Sequence, residues 1–135
     1  MREVVLDSSV ILKWFTTVEE EHQEEARAFQ AAFADGRLRV VAPSVVMLEL
    51  LNAAARGWRW TAEQLAEMAG DLATLRFDLV DPPLVDVARW AAEGLSAYDA
   101  AFVAVAEAMG AELVTADRRI VRLAPHIARS LADAA

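Results

Sequence analysis

The stretch Val4-Val5-Leu6-Asp7-Ser8-Ser9 places the strongest constraint on the fold: an apolar run that ends abruptly in a carboxylate and two hydroxyls. Val4, Val5 and Leu6 favour a strand, and their lack of polar alternation suits one covered on both faces, as in the middle of a parallel sheet. Val10, Ile11, Leu12, Trp14 and Phe15 follow with enough apolar character for a helix, so Asp7 stands where a strand hands over to a helix. In open α/β sheets that edge is where ligands bind. Asp is also a favoured helix N-cap, and taken alone Asp7 fits that role at least as well.

The rest of the chain repeats the alternation. A helix is expected over Glu19 to Ala34, with Asp35-Gly36 as its stop, then a strand over Leu38 to Ala42. Pro43 is expected to open a helix running from Ser44 to about Arg56. Thr61 and Gln64 form a capping box for a helix to about Leu75. Strand Phe77 to Val80, helix Leu84 to Glu93, helix Ala97 to Met109 capped by Ser96, and strand Leu113 to Thr115 follow. Ile120, Val121 and Leu123 suggest one or two further helical turns, and the tail from Pro125 reads either as a last edge strand at His126-Ile127-Ala128 or as a frayed end. Strands alternating with helices define an α/β domain with a mostly parallel sheet of four to five strands, flanked by helices and joined by right-handed crossovers.

Composition narrows the function classes. At 135 residues the expectation is a single domain over residues 1–135. Hydrophobic content of 56% and a mean hydropathy of +0.26 point to a large core or a covered partner surface, yet no apolar run approaches the roughly 20 residues of a membrane span. Met1-Arg2-Glu3 runs straight into the strand without a signal-peptide core, and cysteine is absent, so a cytoplasmic location is expected. The net charge of −8 argues against generic nucleic-acid binding. Part of it is the block Glu19, Glu20, Glu21, Glu24 and Glu25, which suits a solvated helix start. Lys13 is the only lysine, so the basic residues are otherwise arginines, suited to bidentate contacts with carboxylate or phosphate.

Four acids lie inside or at the ends of otherwise apolar segments: Asp7, Glu49, Asp99 and Asp117. A buried carboxylate costs several kcal/mol unless neutralised, paired or metal-bound. Each has an ordinary reading as well. Asp7 and Asp117 suit helix caps, Asp99 suits the capping box begun by Ser96, and Glu49 suits an ion pair with an arginine such as Arg56. Together they have a common one, because a parallel sheet gathers all four at its C-terminal edge. There they form a cluster of hard oxygen ligands suited to Mg²⁺ or Mn²⁺. Such a cluster activates water and stabilises the charge that develops when a phosphodiester is displaced in line. Phosphate-binding and dinucleotide-binding glycine loops are absent, as is any His/Cys zinc spacing, and His22 and His126 lie away from the acids.

Three blocks carry a family resemblance: Val5-Leu6-Asp7-Ser8-Ser9-Val10-Ile11; Pro43 with Leu48-Glu49-Leu50-Leu51-Asn52; and Leu95-Ser96-Ala97-Tyr98-Asp99-Ala100-Ala101-Phe102 followed by Leu113-Val114-Thr115-Ala116-Asp117-Arg118. In this order and spacing, over essentially the whole chain, they resemble a PIN domain of the VapC type, the toxin ribonucleases of prokaryotic toxin–antitoxin modules. The resemblance implies a three-layer PIN-like fold and a divalent ion, Mg²⁺ or Mn²⁺, held principally by Asp7, Glu49 and Asp99, with Asp117 completing or sharing the site. It also implies endonucleolytic cleavage of RNA, a VapB-type antitoxin partner and a homodimer.

Within that resemblance Ser9 and Thr115 would order the site, and Asn52, one turn beyond Glu49, would support it or simply be solvated. Phosphate contacts would fall to Arg118, Arg119 and Arg122, for each of which a solvated helix face is the competing reading. Trp14, Phe15, Trp58 and Trp60 would either be covered by the antitoxin or belong to the core. Two other readings compete: a PIN-like module that binds RNA or protein without cleaving, and a receiver-type phospho-acceptor domain. The second lacks an acidic pair at the first strand and a lysine after a late one.

Overall fold

A computed structural model describes residues 1–16 and 18–134. Five strands, β1 (Arg2–Leu6), β2 (Leu38–Pro43), β3 (Asp78–Val80), β4 (Glu112–Thr115) and β5 (Ala128–Ser130), form one sheet in the order β3-β2-β1-β4-β5. Every pairing is parallel. β1 is central, with Val4 opposite Val40 on one side and Glu112 on the other. Val4, Val5 and Leu6 are wholly buried, as the unalternated run requires.

Eight helices flank the sheet among the described residues: α1 (Ser8–Ile11), α2 (Gln23–Ala34), α3 (Val46–Asn52), α4 (Ala62–Thr74), α5 (Leu84–Ala92), α6 (Ala97–Met109), α7 (Arg118–Leu123) and α8 (Leu131–Ala134). α1 continues as a 3₁₀ turn over Leu12–Trp14, and α3 widens into a π turn over Ala53–Gly57. From β1 the chain steps outward to β2 and β3, then returns across the sheet to β4 and β5. The order therefore reverses between β1 and β4, the place where an open parallel sheet leaves a crevice.

α6 is the helix that spans the sheet, contacting β1, β2 and β4. Its run Ala100 to Ala106 is buried throughout, and the small side chains let the helix lie close to the strands. Ser96 Oγ accepts the Asp99 N–H at 3.0 Å at its start, and Gly110, at φ +64°, ends it in the left-handed conformation. The box of Thr61 and Gln64 is present at α4 in both directions.

Several boundaries differ from expectation. α2 begins at Gln23, not Glu19. The acids before it are exposed and offer nothing to bury, whereas Gln23 is buried with its Nε2 donating to Lys13 O at 2.6 Å, and Trp14 Nε1 donates to Ala26 O at 2.9 Å. Pro43 closes β2 instead of opening a helix, because pairing with β3 runs on through it and the Ser44 N–H donates to Val80 O at 3.0 Å. The ladder from β2 to β1 has already ended at Val41, so the missing proline donor is not needed. α3 accordingly starts at Val46 and not at Ser44, which puts Glu49 in its first turn.

The tail does add an edge strand, but at Ala128–Ser130, followed by α8 with Leu131 fully buried. Trp14, Phe15, Trp58 and Trp60 are half-buried and pack against the core. Trp14 stacks on Phe33 with ring centroids 6.0 Å apart, and Trp58 and Trp60 lie 5.0 Å from each other. No helix among the described residues is long and apolar enough to cross a membrane.

Candidate metal and nuclease site

β1 and β4 end side by side at the reversal, and the residues at their ends make the floor of the site. Asp7 follows β1 at the N-cap position of α1, yet its side chain caps nothing. It turns across to β4 instead. Asp7 Oδ2 accepts from Ser9 Oγ at 2.6 Å and from Thr115 Oγ1 at 2.9 Å. Each hydroxyl has one proton, so both are spent on this oxygen, and the 3.5 Å approach between Ser9 Oγ and Thr115 Oγ1 is a contact without a donor. The hydroxyls accept in turn from backbone: Ser9 Oγ from the Ala116 N–H at 3.1 Å, Thr115 Oγ1 from the Asp117 N–H at 3.0 Å. The loop after β4 is thereby tied to the end of β1.

Asp7 is only 3% exposed, and its Oδ1 meets no donor. Burial pushes its carboxyl above the usual range, the Ser9 and Thr115 hydroxyls oppose this, and the neighbouring Asp99 charge raises it further. Glu49 comes from the first turn of α3 and is in the same condition. Its Oε1 is buried without a donor, and its carboxyl is pushed up to about 7 by burial first and then by the charges of Asp7 and Asp99. The ion pair with Arg56 does not form, so the ordinary reading of Glu49 falls.

The other two acids are held differently. Asp99 enters from the first turn of α6, and Asp117 caps α7 by accepting the Arg119 N–H on Oδ1 at 2.9 Å. The Arg119 side chain then folds back. Its Nη2 lies 3.0 Å from Asp99 Oδ2 and 3.4 Å from Asp117 Oδ2. Asp7, Glu49 and Asp99 thus share one electrostatic field, while Asp99 and Asp117 share a guanidinium. Among the described residues no three Asp, Glu or His side chains stand in a ready-made metal-ligating arrangement.

The remaining expected residues distribute unevenly. Ser9 and Thr115 lie at the heart of the network. Asn52 is exposed and hydrogen-bonds to none of the acids, but it lines the same groove as Glu49. Arg118 and Arg122 are exposed on α7 and form no ion pair among the described residues. Two features escaped sequence reading. One is the Arg119 clamp, which follows from an Asp N-cap that brings the residue two places on back toward it. The other is an apolar groove of about 920 Å³ between α3 and α4, with Leu48 and Tyr98 exposed at its wall beside Glu49.

The amino-acid sequence matches the PIN domain family over residues 4–125. The chain belongs to that family, whose members are generally nucleases and typically bind divalent metals. No curated protein matches it. Among solved structures it is similar to PAE2754 from Pyrobaculum aerophilum, at 24% identity and TM-score 0.68, covering 97% of this chain and 90% of that one. It is also similar to FitAcB from Neisseria gonorrhoeae, at 13% identity and TM-score 0.70, covering 96% and 99%. DNA-bound VapBC from Salmonella typhimurium matches at 19% identity and TM-score 0.65, covering 97% and 99%. At these identities the likeness establishes the fold. Membership of the PIN family displaces the receiver reading, and Lys13, the only lysine, follows the first strand and pairs with Glu20 at 3.4 Å.

Proposed function

We propose that this protein is a metal-dependent endoribonuclease, the toxin of a toxin–antitoxin pair, and that residues 1–135 form one PIN domain. The observation that carries the reading is the pair of buried, donorless oxygens, Asp7 Oδ1 and Glu49 Oε1, on carboxylates that also repel Asp99. Two such oxygens in an oxygen-only site fit a hard divalent cation, Mg²⁺ or Mn²⁺. Asp7, Glu49 and Asp99 would hold it, with Asp117 sharing the site. When bound, such an ion lowers the pKa of a water and stabilises charge developing on a phosphodiester.

The protein's own residues do the positioning. Ser9 and Thr115 fix Asp7 through Oδ2 and leave Oδ1 without a donor, an outer hydrogen-bonding layer of the kind that orients metal ligands. Arg118 and Arg122, exposed on α7 beside Asp117, would hold backbone phosphates and so offset the overall negative charge locally. The structures of FitAcB and VapBC are of complexes, and an antitoxin partner comes to this chain by analogy with them. Exposed Leu48 and Tyr98 beside the acids offer such a partner apolar surface. A homodimer and a cytoplasmic location belong to the same reading.

The test is cleavage of RNA by the purified chain with Mn²⁺ or Mg²⁺ against EDTA, alongside Asp7→Asn and Asp99→Asn, with the new RNA ends mapped after induction in cells. Metal-dependent cleavage that both variants lose supports the proposal; undiminished cleavage by both rejects it. One observation favours the competing reading of a binding module without nuclease activity, namely that Asp99 and Asp117 are already satisfied by Arg119. Titration with Mn²⁺ separates the two, since a binding-only module does not need to hold the ion.

A further inference from the structure

We infer that Arg119 is a displaceable internal cation that competes with the divalent ion for Asp99 and Asp117. The inference rests on the metal-carboxylate reading above and deepens it. The four acids are divided between two conditions. Asp7 and Glu49 each carry a buried oxygen with no donor. Asp99 and Asp117 each place Oδ2 on the same nitrogen of Arg119, whose two hydrogens suffice for both. Asp117 is held twice by this residue, through its side chain and through its backbone N–H.

The clamp is able to open. The Arg119 side chain is 51% exposed, and among the described residues it pairs with these two acids and no others. An arginine on that footing is worth little as an ion pair in water, yet its charge lies where an incoming cation is attracted. An ion held by Asp7 and Glu49 that recruits Asp99 meets the Arg119 guanidinium on its Oδ2, and both oxygens of that carboxylate become available only when Arg119 lets go. Swung outward, the guanidinium remains on the face of α7 that carries Arg118 and Arg122, where a fork of donors suits phosphate. Arg119 is therefore a positioning residue, acting through the acids it releases.

The experiment is calorimetric titration of Mn²⁺ into the EDTA-treated full-length chain at pH 7.5, for wild type, Arg119→Gln, Arg119→Lys and Asp7→Asn. Arg119→Gln should bind Mn²⁺ about three- to tenfold more tightly than wild type, as loss of two exposed ion pairs allows. Arg119→Lys, which keeps the charge, should stay near wild type, and Asp7→Asn should lose the site. A merely structural role for Arg119 would not raise affinity. Equal or weaker binding by Arg119→Gln, with Asp7→Asn still inactive in binding, overturns the inference alone. Absence of any Asp7-dependent binding in wild type and in Arg119→Gln overturns the metal reading and the inference with it. Circular dichroism melts of each variant establish that the fold is retained, and Arg119→Lys tests the charge without removing the aliphatic stem.

Discussion

Thr115 Oγ1 donates to Asp7 Oδ2 at 2.9 Å across the junction of two strands, between residues 108 apart in the chain. That bond spends the hydroxyl proton on one carboxylate oxygen, while the other is buried without a donor. It also makes the end of β4 part of the same unit as the end of β1, so the loop carrying Asp117 and Arg119 is positioned by the residue it serves.

Replacing Thr115 by Val, a change of similar shape, should leave the fold intact and lower Mn²⁺ affinity or RNA cleavage by about 10- to 100-fold, the usual effect of removing a hydrogen bond to a ligand. Ser9→Ala should act in the same direction. Calorimetric titration and a gel assay on one RNA measure both, and wild-type values for the two variants would show that the hydroxyls are dispensable.

Stability of the metal-free protein should fall as pH rises. Glu49 goes from its ordinary 4.5 to about 7 on folding, and Asp7 moves the same way. The folded state then holds more protons than the unfolded chain between those values, so unfolding free energy decreases with pH across that window. The contribution of Glu49 is complete below about 4.5 and is lost as pH passes through about 7. Urea melts in EDTA at pH 5, 6, 7 and 8 should show the decline, and saturating Mn²⁺ should flatten it.

Glu49→Gln should separate stability from function. The amide keeps the shape and removes the desolvated charge, so the EDTA-treated variant should melt higher than wild type at pH 8 while its Mn²⁺ binding is abolished. A melting temperature below wild type at that pH would mean that Glu49 has a stabilising partner after all.

Ala104 tests the seat of α6, which brings Asp99 to the sheet edge. It is fully buried in the helix that crosses β1, β2 and β4. Ala104→Leu should cost about 1–3 kcal/mol, the typical effect of overpacking, read as a lower urea midpoint with an unchanged slope. Ala104→Gly should cost about 1 kcal/mol through helix propensity alone.

Much of the architecture was legible because period and punctuation agree. Val4-Val5-Leu6 has to be covered on both faces, Ser96 and Gly110 bracket α6 to the residue, and Thr61 with Gln64 opens α4 as a reciprocal box. The family of the chain was legible too, from the order of its blocks. The boundaries that moved did so for tertiary reasons. Glu19 to Glu21 have helical composition but no surface to bury, and Pro43 stays in β2 because β3 continues to pair with it.

The four acids themselves were readable one by one, as charges in apolar company. Their states were not. Local rules made Asp7 a cap, and the fold turned it to the Ser9 hydroxyl of α1 and the Thr115 hydroxyl of another strand; local rules allowed Glu49 an arginine, and the fold left it without one. Spacing along a chain determines which residues reach a sheet edge, because strand and helix periods are short-range properties. Which oxygen is left bare, and whether the arginine that Asp117 caps also reaches Asp99, depends on distances between residues on different elements, and only packing decides those.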